Sequence, residues 1–244
     1  RSKAISAGLD LEMPGPAAEN DERIVQAVKS RTLKMQELDA AVDRLARLAD
    51  KAKAIPKGQV SPYEASREIA RKAAEESFVL LKNEGILPLD KAKSLSVIGE
   101  FAMNTRYQGS GSSRINPTRV THAFDSFEKI GGSCIYAAGY RLDDSGEESA
   151  LMDEALIAAS KSDTAIAFVG LPEPYESEAF DRTDIGLPDS HNRLVEKIAA
   201  VNPNVVVVIY AGAPVAMPWI DKVKAVLMAY LPGQEGAEAI PSLL

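Results

Sequence analysis

Residues 171–188, Leu-Pro-Glu-Pro-Tyr-Glu-Ser-Glu-Ala-Phe-Asp-Arg-Thr-Asp-Ile-Gly-Leu-Pro, hold five acids, Glu173, Glu176, Glu178, Asp181 and Asp184, around a single Arg182. Carboxylates crowded this closely raise one another's pKa, and a carboxyl beside apolar groups is raised further. Tyr175 and Phe180 offer apolar surface in the same stretch, and both suit the face of a sugar ring. A glutamic acid kept protonated near neutral pH can give its proton to a leaving group. The competing reading is a solvated acidic loop, since charge runs are commonly plain surface. A second candidate lies in residues 100–118, around Gly109-Ser110-Gly111-Ser112-Ser113-Arg114. It reads either as a flexible turn or as a substrate-facing loop. A dinucleotide fingerprint would need a third glycine where Arg114 stands and would follow its strand at once; no Gly-Lys-Ser/Thr is present either, so nucleotide binding is not expected.

The remaining polar residues invite plainer readings. Asp189-Ser190-His191 is not a catalytic triad, because neighbours on one helical turn do not converge. His191 and His122 fall at helix starts and are expected to be solvated, and Cys134 reads as a small buried residue in a strand. Trp219, near a strand's carboxyl end, is open between core and ligand platform.

Composition narrows the classes. The 244 residues are 45% hydrophobic and 26% charged, the balance of an ordinary globular protein of between one and two domains. With 28 basic and 35 acidic residues the net charge is −7, which argues against a nucleic-acid partner. One cysteine beside two histidines builds neither an intrachain disulfide nor a structural zinc site, so no metal and no cofactor is expected. That lone cysteine is compatible with the cytoplasm, the working expectation, or with export. No apolar run approaches a membrane span. The chain opens on Arg1 and stops at Ile240-Pro241-Ser242-Leu243-Leu244, which leads us to expect a piece of a longer protein.

The elements that must position these loops follow from periodicity. Residues 7–13 alternate apolar and acidic and read as a strand end, stopped by Pro14-Gly15-Pro16. Residues 22–53 are helical in pattern, in one or two pieces, with an apolar stripe at Leu38, Val42, Leu45, Leu48 and Ala49. Residues 52–61 lose that periodicity and read as an interdomain linker. Ser61, Pro62 and Glu64 then have N-cap spacing for a largely buried helix running to about Asn83, with Gly85 ending it and Ala70, Ala73, Ala74, Leu80 and Leu81 inside. Strands at 95–99, 133–138, 164–170, 204–210 and 225–230 alternate with helices at 121–130, 147–160 and 189–201. The last three strands are continuously apolar, as in a parallel sheet covered on both faces. The expectation is an α/β fold: a three-layer α/β/α sandwich with a mostly parallel sheet of five or six strands. In such sheets ligands bind at the carboxyl ends of the strands, where both long loops lie.

With those loops placed, a resemblance can be stated. The chain resembles the glycoside hydrolase family 3 β-glucosidases. The matching stretches are Ala7-Gly-Leu-Asp-Leu-Glu-Met-Pro-Gly15, Ala70-Arg-Lys-Ala-Ala-Glu-Glu-Ser-Phe-Val-Leu-Leu-Lys-Asn-Glu-Gly85 with Leu87-Pro-Leu89, Gly109-Ser-Gly-Ser-Ser-Arg-Ile-Asn-Pro117 and Glu178-Ala-Phe-Asp-Arg182. Asn202-Pro-Asn-Val-Val-Val-Val208, Gly212-Ala-Pro214, Pro218-Trp219 and Pro232-Gly-Gln-Glu-Gly236 follow in family order. The resemblance implies a (β/α)8-type barrel whose helical tail is residues 1–51, a linker at 52–61, and a C-terminally truncated sandwich over 62–244. It implies retaining hydrolysis, in which one carboxylate attacks the anomeric carbon and another acts as acid and then base. The acid/base matches Glu178, with Glu176 as fallback; the nucleophilic aspartate would precede residue 1, so the isolated chain is expected to be inactive. Ser110, Ser112, Arg114, Phe180, Asp181 and Arg182 are the implied substrate contacts, for a β-glucoside or oligosaccharide. Ala179 stands where the family has glycine, so a glycine-specific backbone angle is not expected there.

Two other classes are carried alongside. One is a non-catalytic sugar-binding or structural module. The other is the β-N-acetylglucosaminidase branch of the family, which keeps its acid/base in the barrel and which the Glu178-Ala-Phe-Asp-Arg182 loop opposes. Linkage preference and oligomeric state are not legible.

Overall fold

The continuously apolar runs Ala-Ile-Ala-Phe-Val and Val-Val-Val-Val-Ile can be satisfied only where both faces of a strand are covered, and they form the centre of the sheet. In the computed structural model, residues 1–13, 18–56, 58, 62–131, 133–143 and 149–244 are described. Two compact units are present, Arg1–Ser61 and Pro62–Leu244.

In the first unit, helices α1 (Ser2–Ser6), α2 (Ala18–Lys29) and α3 (Met35–Lys53) are present. The helical pattern of 22–53 is therefore two helices. Asp10 accepts two-pronged hydrogen bonds from Arg44 Nε and Nη2 on α3, at 2.8 and 2.7 Å. Residues 7–13 are not a strand: a turn at Ala7-Gly8 leads into irregular chain, with no neighbouring strand among the described residues to complete a ladder. Pro14-Gly15-Pro16 lies outside the described residues. Of the predicted stripe on α3, Val42 and Leu48 are exposed in this chain.

The second unit begins with α4 (Tyr63–Ser77) and β1 (Val79–Asn83), followed by β2 (Leu95–Ile98), α5 (Ala123–Ile130), β3 (Cys134–Ala137), α6 (Ser149–Lys161), β4 (Thr164–Gly170), α7 (Asp189–Val201), β5 (Val205–Tyr210), β6 (Ala225–Met228) and α8 (Gly236–Leu243). The helix expected to reach Asn83 stops at Ser77. Val79, Leu80, Lys82 and Asn83 instead pair antiparallel with β6, with an irregularity at Leu81, and this sixth strand was hidden in the helical reading. Leu80 and Leu81 are accordingly exposed on an edge strand, and of the helix's alanines only Ala74 is buried. Gly85 ends no helix: it sits in a turn where Asn83 Oδ1 accepts the N–H groups of Gly85, Ile86 and Leu87. Ser61, the expected cap, lies outside the described residues, as do the first two residues of the helix predicted at 147–160.

The sheet order is β1-β6-β5-β4-β2-β3, with every pair but β1–β6 parallel. After β2 the chain moves outward to β3, then crosses back to place β4 on β2's other side. This reversal makes β2 and β4 the switch point, where connections leave in opposite directions and a crevice opens. Helices α6 and α7 pack together, as do α4, α5 and α8, giving the two outer layers. Every residue of β4 and β5 is buried.

Glycines let the strands close at this point. A Cβ on Gly99, just past β2, would lie 2.2 Å from the Phe168 carbonyl oxygen, and one on Gly170 would lie 2.0 Å from that of Tyr210. Beneath them sits an aromatic cluster. Tyr140 donates its hydroxyl to the Phe168 carbonyl at 2.8 Å and accepts the Phe101 N–H at 3.3 Å. His191 is not solvated as expected. It is buried on the inner face of α7, its ring 3.8 Å from that of Tyr140, and its Nδ1 accepts the Gly170 N–H at 3.2 Å. His122 precedes α5 and is half-buried, also short of full solvation. Trp219 is core, its indole N–H donating to Asn192 at 2.9 Å, and Cys134 is half-buried in β3 with its thiol pushed up to about 11 by burial.

Burial pushes His191 down to about 3 from 6.5. Between those values the unfolded chain binds a proton that the folded chain refuses, so stability falls as pH drops, by up to about 1.4 kcal/mol per pH unit. Urea denaturation between pH 7 and pH 5 should show this slope, and His191→Gln, which keeps an acceptor but cannot titrate, should flatten it.

Candidate functional site

The two loops singled out by sequence leave β2 and β4 at the switch point, and the fold brings them together. Glu178 Oε2 accepts the backbone N–H of Ser112 at 2.5 Å, and the Glu178 N–H reaches the Ser110 carbonyl at 3.4 Å. Gly111, at φ 96°, lies directly on the glutamate: a Cβ there would fall 2.5 Å from Glu178 Cβ. The loop carrying Gly111 is itself zipped by Gln108, whose side-chain amide donates to the Ile115 carbonyl and accepts the Ile115 N–H. A cleft of about 340 Å³ opens between the two loops, lined among others by Arg106, Gln108, Ser110, Arg114, Pro172 and Glu173.

The acids do not act as a mutually repelling crowd, contrary to expectation. Each that can find a donor does so. Glu173 pairs with Arg114 at 3.3 Å. Glu176 accepts the Gly212 N–H at 3.0 Å and faces Arg106 Nη2 at 3.7 Å. Asp184 caps its own turn by accepting the Gly186 N–H at 2.7 Å. Glu178 is held below the usual carboxylate range by hydrogen bonds from Ser112, the hydroxyl first and then the N–H. The expected raised glutamic acid is therefore an ionised carboxylate in this chain. Its expected apolar surround is open too: Phe180 is 70% and Tyr175 44% exposed.

Backbone geometry settles one further expectation. Ala179 adopts φ 69°, the left-handed angle that a glycine would take, so the alanine does not forbid it. An L-residue pays roughly 1–2 kcal/mol there, and the surrounding contacts must hold it. They are visible: Arg182 donates to the Pro214 carbonyl at 3.3 Å and to the Gly186 carbonyl at 3.1 Å, and Ala216 N–H bonds the Ile185 carbonyl at 2.7 Å. The acidic loop is thus laid along residues 212–216, just beyond β5.

Of the sequence candidates, Glu178, Ser110, Ser112, Arg114 and Glu176 come together around the loop junction. Phe180 and Asp181 are exposed beside it, while Arg182 is committed to loop carbonyls. Sequence reasoning missed Arg106 and Gly212. Arg106 is only 8% exposed, and Nη2 donates to the Glu176 carbonyl at 2.8 Å. Burial pushes its guanidinium below the usual arginine range, against the opposing pull of Glu176 and then Glu173. Its position within the long first loop was the available signal.

Comparison with known proteins bears on this arrangement. A thermostable beta-glucosidase B from Acetivibrio thermocellus is 47% identical over the whole of this chain, which covers 33% of that protein. An exo-alpha-(1->6)-L-arabinopyranosidase from Bifidobacterium longum is 37% identical, again over the whole chain and 34% of the relative. The chain thus spans about a third of the length of these curated relatives. The crystal structure of a Bifidobacterium adolescentis GH3 beta-glucosidase superposes with a TM-score of 0.91 at 36% identity, covering 99% of this chain and 36% of that one. Residues 78–244, which carry all six strands of the sheet and both converging loops, match the glycosyl hydrolase family 3 C-terminal domain, and the chain belongs to that family.

Proposed function

We propose that this chain is the sandwich portion of a retaining β-glucosidase acting on terminal β-D-glucosyl residues, and that Glu178 is its general acid/base. The observation that carries the reading is the meeting of two long loops at the switch point, with an exposed carboxylate held at their junction by Ser112. Residues 1–51 are then the end of the catalytic barrel, 52–61 the linker and 62–244 the sandwich, and the nucleophilic aspartate lies upstream of residue 1. In the first half-reaction Glu178 must carry a proton to the leaving oxygen; in the second it must take one from water. The Ser112 hydrogen bonds favour the form needed second. A sugar ring seated over the carboxylate would exclude water and raise its pKa toward the form needed first. Phe180, exposed two residues beyond Glu178, would cover that ring, with Ser110, Ser112, Arg114, Asp181 and Arg182 as further contacts or supports of the contacting loops.

Replacing Glu178 by Ala in the full-length enzyme should lower kcat/KM on alkyl glucosides by about 10²–10⁴-fold. On a dinitrophenyl glucoside, whose leaving group needs no proton, kcat/KM should be nearly retained while kcat falls, and azide should restore kcat with a β-configured glucosyl azide as product. Unchanged turnover would instead favour a non-catalytic module. The relatives named arabinopyranosidases make α-L-arabinopyranosides the alternative glycone, to be compared in the same assay. The isolated 244-residue chain should show no aryl-β-glucoside hydrolysis; turnover abolished by Glu178→Gln would contradict this. Ser112→Ala removes the larger of the two interactions that hold Glu178 down, so the alkaline limb of the kcat/KM profile, where the acid deprotonates, should move to higher pH.

A further inference from the structure

We propose that Arg106 and Glu176 form a positioning pair that fixes the acidic loop, so that of the two glutamates flanking Ser177 only Glu178 is left to meet a substrate. This rests on the assignment of Glu178 made above. Glu176 is fastened from two sides. Arg106, in the loop after β2, donates from Nη2 to the Glu176 carbonyl at 2.8 Å and sets the same nitrogen 3.7 Å from its carboxylate. Gly212, just beyond β5, donates its N–H to Glu176 Oε2 at 3.0 Å. The seat is tight, for a Cβ on Gly212 would lie 2.7 Å from Glu176 Oε1. One residue in the loop after β4 is thereby tied to the loops leaving both neighbouring strands.

Arg106 is an unusual choice for a mere filler. It is 8% exposed, and its Nε finds no hydrogen-bond partner among the described residues. A buried cation with an unsatisfied donor is costly, and an apolar side chain of similar length would fill the space more cheaply. What the guanidinium supplies is the pair of interactions with Glu176. Glu178, two residues on, is exposed, its carboxylate bonded to Ser112 and its N–H to the Ser110 carbonyl of the other loop. Fixing Glu176 therefore fixes where the Glu178 carboxylate stands, and neither Arg106 nor Glu176 needs to touch substrate.

The test uses the full-length enzyme with Arg106→Met and Arg106→Lys, each assayed on an alkyl glucoside and a dinitrophenyl glucoside beside Glu178→Ala and Glu176→Ala. A positioning role predicts that Arg106→Met lowers kcat/KM on the alkyl glucoside by about 10–100-fold, a part of the general-acid contribution. On the dinitrophenyl glucoside kcat/KM should change little, any fall in kcat being matched by a fall in KM because Glu178 is also the base of the second half-reaction, and Arg106→Lys should recover part of the loss. Equal loss on both substrates, or none, would overturn the proposal. Should Arg106→Met show no cooperative melting, Arg106→Lys and Gly212→Ala are read by the same leaving-group ratio. If Glu178→Ala behaves as an acid/base variant but the Arg106 variants show no leaving-group dependence, only the positioning role fails. If azide rescues Glu176→Ala and not Glu178→Ala, the acid/base assignment fails and this inference falls with it.

Discussion

The site depends on the reversal of winding between β2 and β4. Parallel strands whose crossovers run in one direction leave no gap between neighbouring loops. Here β2 leads outward to β3 while β4 leads the other way to β5, so the loops after β2 and β4 part above the sheet and then meet each other. For that crevice to be narrow, the strand ends must approach more closely than side chains permit. Gly99 and Gly170 provide the approach, and the hydrogen bonds of Tyr140 and His191 hold the buried backbone groups of Phe101, Phe168 and Gly170 beneath it. Tyr140 and the Nδ1 of His191 are bonded to main chain there, and burial keeps that histidine neutral near pH 7.

Above the cluster, electrostatics work by pairing. Five carboxylates in eighteen residues suggest mutual repulsion only while the chain is treated as isolated. Folding brings in Arg106 and Arg114 from the first loop and main-chain N–H groups from residues 112, 186 and 212. A donor at hydrogen-bond distance outweighs a like charge several ångströms away in solvent, because exposed carboxylates are well screened from one another. Glu178 is therefore an anion in the open site, and its conversion to an acid is tied to what covers it.

Much of the fold was legible because its signals are local. The apolar runs at 164–170 and 205–210 and the helix at 189–201 are found where periodicity places them. Val79–Asn83 was not legible: leucines and a lysine after an alanine-rich helix continue the helical pattern, and only pairing with β6 turns them into a strand. Residues 7–13 show the converse, an alternating pattern without a partner strand among the described residues. Ala179 belongs to the same class, since the loop's anchors at Arg182 and Ala216 impose a backbone angle that alanine alone would avoid.

By itself, then, the sequence determined the layer architecture, the order of strands and helices from β2 onward, and the two long loops that carry the polar residues, because strand burial and loop length are written in runs of neighbouring residue types. Its motifs also pointed to the family. Only the tertiary structure decided which loop residues meet, that Glu178 is held by Ser112, that Glu176 is locked between Arg106 and Gly212, and that His191 faces inward. Those outcomes depend on groups tens of residues apart arriving within about 3 Å, and hydrogen bonding over that range leaves no trace in local spacing.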